Sequence, residues 1–200
     1  LICSTQNVRA IQLFAQTLVS MTSSELEEPF IAFDARQTRQ RYYRRISGKT
    51  ASLLSMATQS GAILSNSPEE AIEALRDYGN NLGIAFQIVD DILDFTGQAE
   101  EMGKPVGSDL SNGILTLPAI LLLERYPQDN PVQRLCQTKN VKEDLKPAIE
   151  MINNSAIIKE CYAIVSNFCD QARATLSKLP DNRARQSLWE LTGYVTSRKS

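Results

Sequence analysis

No histidine occurs anywhere in the 200 residues. That absence removes Ser-His-Asp and Cys-His catalysis and every His-ligated zinc site. The four cysteines, Cys3, Cys136, Cys161 and Cys169, never fall at CxxC spacing, so neither a zinc ribbon nor a redox dithiol is expected. They read as reduced, largely buried thiols of a cytoplasmic protein. Charge of one sign is not in excess either: the formal net charge is −2, which points to neither nucleic acid nor an anionic membrane surface. The longest apolar runs, such as "AILLL" at 119–123, are far too short to span a bilayer. The opening "LICSTQ" has no basic region and no small-residue cleavage pattern, so a signal peptide is not expected there. Any chemistry must run on carboxylates, lysines, hydroxyls or bound metal.

What is present is one helical pattern after another, with 42% hydrophobic residues to build a core. Apolar residues at helical spacing predict helices over 7–28, ending at Pro29, and over 38–64. The third helix should start at "SNSPEE", with Ser67 as N-cap, Pro68 at the first helical position and Glu70 completing a capping box. It should run to about Phe95. "TGQAEEMGKPVGSDLSNG" carries four glycines and a proline and reads as a loop. Further helices are expected near 114–125, 131–137, 142–152, 156–178 and 182–194. No stretch alternates like a strand, so the fold class is all-α.

The third helix contains an anomaly. "FQIVDDILDF", 86–95, places Asp90, Asp91 and Asp94 among large apolar side chains with no basic residue beside them. An unpaired buried carboxylate is costly, so a cation or a set of donors must compensate it. With Asp90 at zero on a helical wheel, Gly83 lies at about 20°, Asp94 at about 40°, Gln87 at about 60° and Asp91 at about 100°. All five share one sector, predicting a polar, acidic face. The second helix carries the complementary anomaly, because Tyr42, Ile46, Lys49, Leu53, Met56 and Ser60 form a stripe that Lys49 interrupts. One reading pairs Lys49 with an aspartate in the core. The other builds a site in which aspartates hold a metal and Lys49 neutralises a metal-bound anion. Oxygen-only ligands favour Mg²⁺, with Mn²⁺ as the substitute, and Mg²⁺ commonly arrives with a phosphate.

Taken together, "YYRRISGKTASLLSMATQSGAIL", "GIAFQIVDDILDFTG" and "GKPVGSDLSNGILTLP" resemble the trans-polyprenyl diphosphate synthases, in order, from about Asn7 onward. One of that family's two aspartate-rich motifs is DDxxD, matched by "DDILD" at Asp90, Asp91 and Asp94. The resemblance implies mostly antiparallel helices around a deep cavity. It implies condensation of isopentenyl diphosphate onto an allylic diphosphate, with Mg²⁺ bridging the allylic diphosphate to both aspartate motifs. Carried over by position, Asp90, Asp91 and Asp94 would hold metal, with Asp90 the principal ligand. Lys49 and Lys104 would contact the allylic diphosphate, and Thr50 and Gln87 would line the reacting end. The resemblance also implies a homodimer or higher self-association.

Two departures stand out. Ile114 occupies a position that is lysine in many members. The family's other aspartate-rich motif has no counterpart before Lys49, where the acidic residues are Glu25, Glu27, Glu28 and Asp34. The 200 residues therefore read as the C-terminal part of one polyprenyl synthase domain with its front helices missing, and as inactive alone. A non-catalytic accessory subunit of a heteromeric prenyl synthase is the alternative. A third reading comes from "DARQTRQRYYRR", whose five arginines beside two tyrosines suggest a phosphate or nucleic-acid surface. The negative net charge argues instead for a solvated helix start.

Overall fold

A computed structural model describes residues 2–97 and 105–197. After a short turn at Ile2–Thr5 come α1 (Val8–Ile31), α2 (Arg39–Ile46), a π-helical turn (Ser47–Ala51), α3 (Ser52–Leu64) and α4 (Glu69–Thr96). Then follow α5 (Ser108–Ser111), α6 (Leu117–Arg125), α7 (Pro131–Thr138), α8 (Val141–Asn153), α9 (Ile157–Thr175), a 3₁₀ turn (Leu176–Lys178) and α10 (Arg183–Ser197). No strand occurs among the described residues.

The helices stop and start where local chemistry dictates. Asn7 caps α1 by accepting the Ala10 N–H at 3.0 Å, and Asn130 caps α7 by accepting the Val132 N–H at 2.8 Å. The expected cap at Ser67 is not made. Pro68 occupies the N-cap position of α4 with no side-chain bond, while the Ser67 hydroxyl lies 3.0 Å from that of Ser65. Nor does α1 end at Pro29, which sits inside its last turn. So close to the helix end, its missing N–H removes only one bond.

Helix α4 is the axis of the fold, packed against α3 on one side and α9 on the other, with α10 and α6 completing its cover. From Leu82 to Phe95 it is buried nearly all round, as befits a central helix. Two glycines allow α3 and the π turn to approach α4 closely. A Cβ on Gly79 would lie 2.6 Å from the Leu54 carbonyl oxygen, and one on Gly83 would lie 2.5 Å from the Ala51 Cα. The predicted second helix is interrupted at the π turn, and the stripe predicted along it is not uniformly covered: Ile46 and Ser60 are buried, but Leu53 between them is 43% exposed. Helix α1 lies against α3 and the π turn and buries little else, leaving Val19, Leu26 and Phe30 exposed.

The segment read as a loop carries α5 in its described part. Gly107 precedes it in the left-handed region at φ 73°, and Gly113 follows at φ 78°, where the Phe33 ring packs. The Phe33 N–H donates to the Gly113 carbonyl at 2.8 Å, tying this segment to the end of α1.

Candidate active site

The three aspartates do not share one environment. Asp90 is exposed, Asp91 is 3% exposed and Asp94 is fully buried. The helical wheel placed Asp90 and Asp94 close together, and on the bare helix they are. The difference is what covers them. The segment around α5 folds over Asp94, whose Oδ2 accepts the Asp109 N–H at 3.2 Å and whose main-chain carbonyl accepts the Gly107 N–H at 2.7 Å. Asp94 thereby fastens this segment to α4.

Asp91 faces α2. Tyr42 donates its hydroxyl to Asp91 Oδ2 at 2.6 Å, and Gln87 donates Nε2 to Oδ1 at 2.9 Å. Gln87 in turn accepts the Thr50 hydroxyl on Oε1 at 2.6 Å. Burial pushes the Asp91 carboxyl up to about 7, against the opposing pull of the Tyr42 and Gln87 hydrogen bonds, and the nearby Asp109 charge adds to the rise. The same burial, with Asp91 alongside, raises the Tyr42 phenol far above its ordinary range.

Lys49 lies in the π turn beside Thr50. Its partners are not aspartates: Nζ donates to Glu28 Oε1 at 2.9 Å and lies 3.2 Å from Glu25 Oε1, both on α1. Burial works against the ammonium, but the two glutamates outweigh it and hold its pKa above the usual lysine range. The core pairing of Lys49 with an aspartate is therefore not found.

Thr50, Gln87 and Asp91 thus form one hydrogen-bonded chain, with Lys49 next to Thr50 in sequence. Lys104 lies outside the described residues. No group of three or more carboxylates or thiols among the described residues is gathered so as to hold a metal ion. The donor chemistry nevertheless suits a hard divalent cation, because Asp90 offers an exposed carboxylate and the aspartate motif supplies oxygen donors.

Sequence reasoning missed five participants. Tyr42 was a member of the apolar stripe, and its hydroxyl was the overlooked signal. Glu25 and Glu28 entered only as acidic residues outside any aspartate-rich motif. Asp109, in "GSD", lies close enough to act on the charge of Asp91. Arg45 belonged to the arginine run assigned to solvent, but it is 5% exposed and donates Nη2 to the Leu115 carbonyl at 2.7 Å. Two others of that run are also engaged, Arg36 with Asp34 and Arg39 with Glu124 and Glu160.

Residues 1–152 match the family model described as Polyprenyl synthetase. The chain belongs to that family. It is 37% identical over 191 residues to heptaprenyl diphosphate synthase component 2 of Bacillus subtilis, covering 96% of this chain and 55% of that protein. The crystal structure of heptaprenyl diphosphate synthase from Staphylococcus aureus superposes with a TM-score of 0.92 at 35% identity, over 97% of this chain and 61% of that one. A polyprenyl synthase from Caulobacter crescentus, complexed with calcium and isoprenyl diphosphate, gives a TM-score of 0.92 at 31% identity, over 99% of this chain and 61% of that one. The polyprenyl synthetase chain described here therefore has the all-α isoprenoid synthase fold and spans little more than half the length of these relatives. Among its described residues no helix is long and apolar enough to cross a membrane.

Proposed function

We propose that these residues form the diphosphate-binding wall of a prenyltransferase that condenses isopentenyl diphosphate with an allylic diphosphate. The observation that carries the reading is the division of the aspartate motif. Asp90 is presented to solvent at the end of a helix whose next acidic residue, Asp91, is locked to Gln87 and Thr50 beside Lys49. The Caulobacter neighbour, complexed with calcium and isoprenyl diphosphate, supports a metal–diphosphate pair as the ligand.

In this reading Asp90 is the principal ligand of Mg²⁺, with Asp91 and Asp94 behind it. The bound cation supplies positive charge where a departing diphosphate develops negative charge. Lys49 exchanges its glutamates for diphosphate oxygens, Lys104 adds a second ammonium, and Thr50 and Gln87 border the reacting end. The exposed stripe of Val19, Leu26 and Phe30 on α1 supports self-association. A second reading, a chain working beside another subunit, is favoured by the Bacillus subtilis relative, which is named as a component of its synthase.

Calorimetry of pyrophosphate binding with and without Mg²⁺ tests the assignment. Binding should require both together. Equal affinity in Asp90→Ala and the parent chain would remove Asp90 from the metal site.

A further inference from the structure

Arg45 is a cation where a cation is expensive. It is 5% exposed, its Nη2 has only the Leu115 carbonyl as partner, and its Nη1 is buried with no hydrogen-bond partner among the described residues. Buried guanidinium groups persist when a nearby negative charge or ring compensates them. Both are present. The guanidinium carbon lies 5.7 Å from the centroid of the Tyr42 ring, and the Asp91 carboxylate lies at the far end of that ring, accepting the Tyr42 hydroxyl at 2.6 Å.

We infer that Arg45 and Tyr42 are positioning residues that fix Asp91 from its buried side, and through it set Gln87 and Thr50 as one unit. The inference rests on the diphosphate-binding reading for its consequence in ligand affinity, but not for the network itself. Each link constrains the next. With Tyr42 on Oδ2 and Gln87 on Oδ1, the Asp91 carboxylate has no free rotation. Because the Gln87 amide nitrogen is committed to Asp91, its carbonyl oxygen must face Thr50. The Thr50 hydroxyl proton is committed in turn, so Thr50 offers only lone pairs to any other neighbour. Arg45 also holds the Leu115 carbonyl, just after the α5 segment that Asp94 anchors. One buried cation thus stands beside the Asp91 network and also holds the chain just past the α5 segment.

Tyr42→Phe keeps the ring and removes one hydroxyl, and Arg45→Met removes the charge. In the metal-free chain, NMR should show the Gln87 side-chain amide hydrogens exchanging about tenfold faster in Tyr42→Phe, the equivalent of one lost hydrogen bond, with α4 backbone amides unchanged. Affinity for pyrophosphate with Mg²⁺ should fall by a similar factor while its Mg²⁺ requirement persists. Arg45→Met should move both readouts the same way, although Arg45 forms no hydrogen bond with Gln87 or Thr50. Should Arg45→Met not fold, Tyr42→Phe alone decides. Unchanged Gln87 exchange in Tyr42→Phe would overturn the positioning role, as would faster exchange with unchanged pyrophosphate affinity. If the parent chain bound no pyrophosphate with Mg²⁺, the diphosphate reading would fail, and Gln87 exchange would still decide whether the network exists.

Discussion

Lys49 should show opposite signs for stability and for ligand binding, depending on which partner is changed. In the ligand-free chain its ammonium is held by Glu28, whose side chain is 15% exposed, and by Glu25, at 55%. The Glu25 contact is a surface ion pair, worth at most about 1 kcal/mol. The shorter Glu28 bond is half-buried and charge-assisted, so its loss should cost about 1.5–3 kcal/mol. Lys49→Met removes both and strands Glu28, yet Glu28 still reaches water. A net destabilisation of about 2 kcal/mol follows, which for a chain of this length lowers Tm by about 4–8 °C. Glu28→Gln keeps the shape and loses the charge, costing about 1 kcal/mol. Pyrophosphate must displace these carboxylates to reach Lys49. Glu28→Gln should therefore tighten pyrophosphate binding in Mg²⁺ about fivefold, the equivalent of roughly 1 kcal/mol. Lys49→Met should weaken it about tenfold or more. Thermal melts and calorimetry on the same preparations check both signs. If Glu28→Gln weakened binding as Lys49→Met does, the glutamates would be part of the binding form rather than competitors for it.

Three other outcomes are expected. Asp91, with a folded pKa of about 7 against an unfolded value near 3.9, binds more protons folded than unfolded between those limits. Its stabilisation is complete below about pH 4 and lost as pH rises through about 7, by at most about 4 kcal/mol, so in metal-free buffer the parent should lose stability relative to Asp91→Asn between those values; parallel pH profiles would refute it. Gly79→Ala drives a methyl to 2.6 Å from the Leu54 carbonyl and should cost about 1–3 kcal/mol or more in denaturant melts, whereas Gly61→Ala, with nothing within 4 Å, should be neutral or stabilising. Finally, the 200 residues contain one aspartate-rich motif, so the chain with Mg²⁺, labelled isopentenyl diphosphate and farnesyl diphosphate should give no product at a rate typical of enzymes, roughly 1 s⁻¹ or more.

The helices were legible because the signals that set them are local. Apolar spacing, Pro68 and the glycines at 107 and 113 each act within a turn of where they stand, and the expected boundaries of α4, α7, α8 and α10 lie within a few residues of those found. The π turn was not legible. Nothing in "SGKTA" announces an extra residue per turn, and what holds it is distant: α1 presses so close that a Cβ on Gly48 would collide with Ser24, and Ala51 meets Gly83. The α1–π-turn approach also brought Glu25 and Glu28, rather than aspartates, to Lys49.

The aspartate motif shows where a helical wheel stops informing. It gives the angle at which a side chain leaves the helix but not what lies there. Asp94 is covered by backbone donors from Gly107 and Asp109, and Asp91 by a tyrosine hydroxyl from 49 residues earlier in the chain. These partners resolve the anomaly of three carboxylates in a core-like sequence. A buried carboxylate is tolerated only with donors around it, so the two inward aspartates had to recruit α2, Gln87 and the α5 segment. The third, Asp90, stays at the surface. The arginine run follows the same logic. Arg36 and Arg39 found surface carboxylates, but Arg45 lies inside, against the Leu115 carbonyl and the Tyr42 ring. Arg45 lies over the Tyr42 ring whose hydroxyl Asp91 accepts, so each charge offsets a small part of the cost of burying the other.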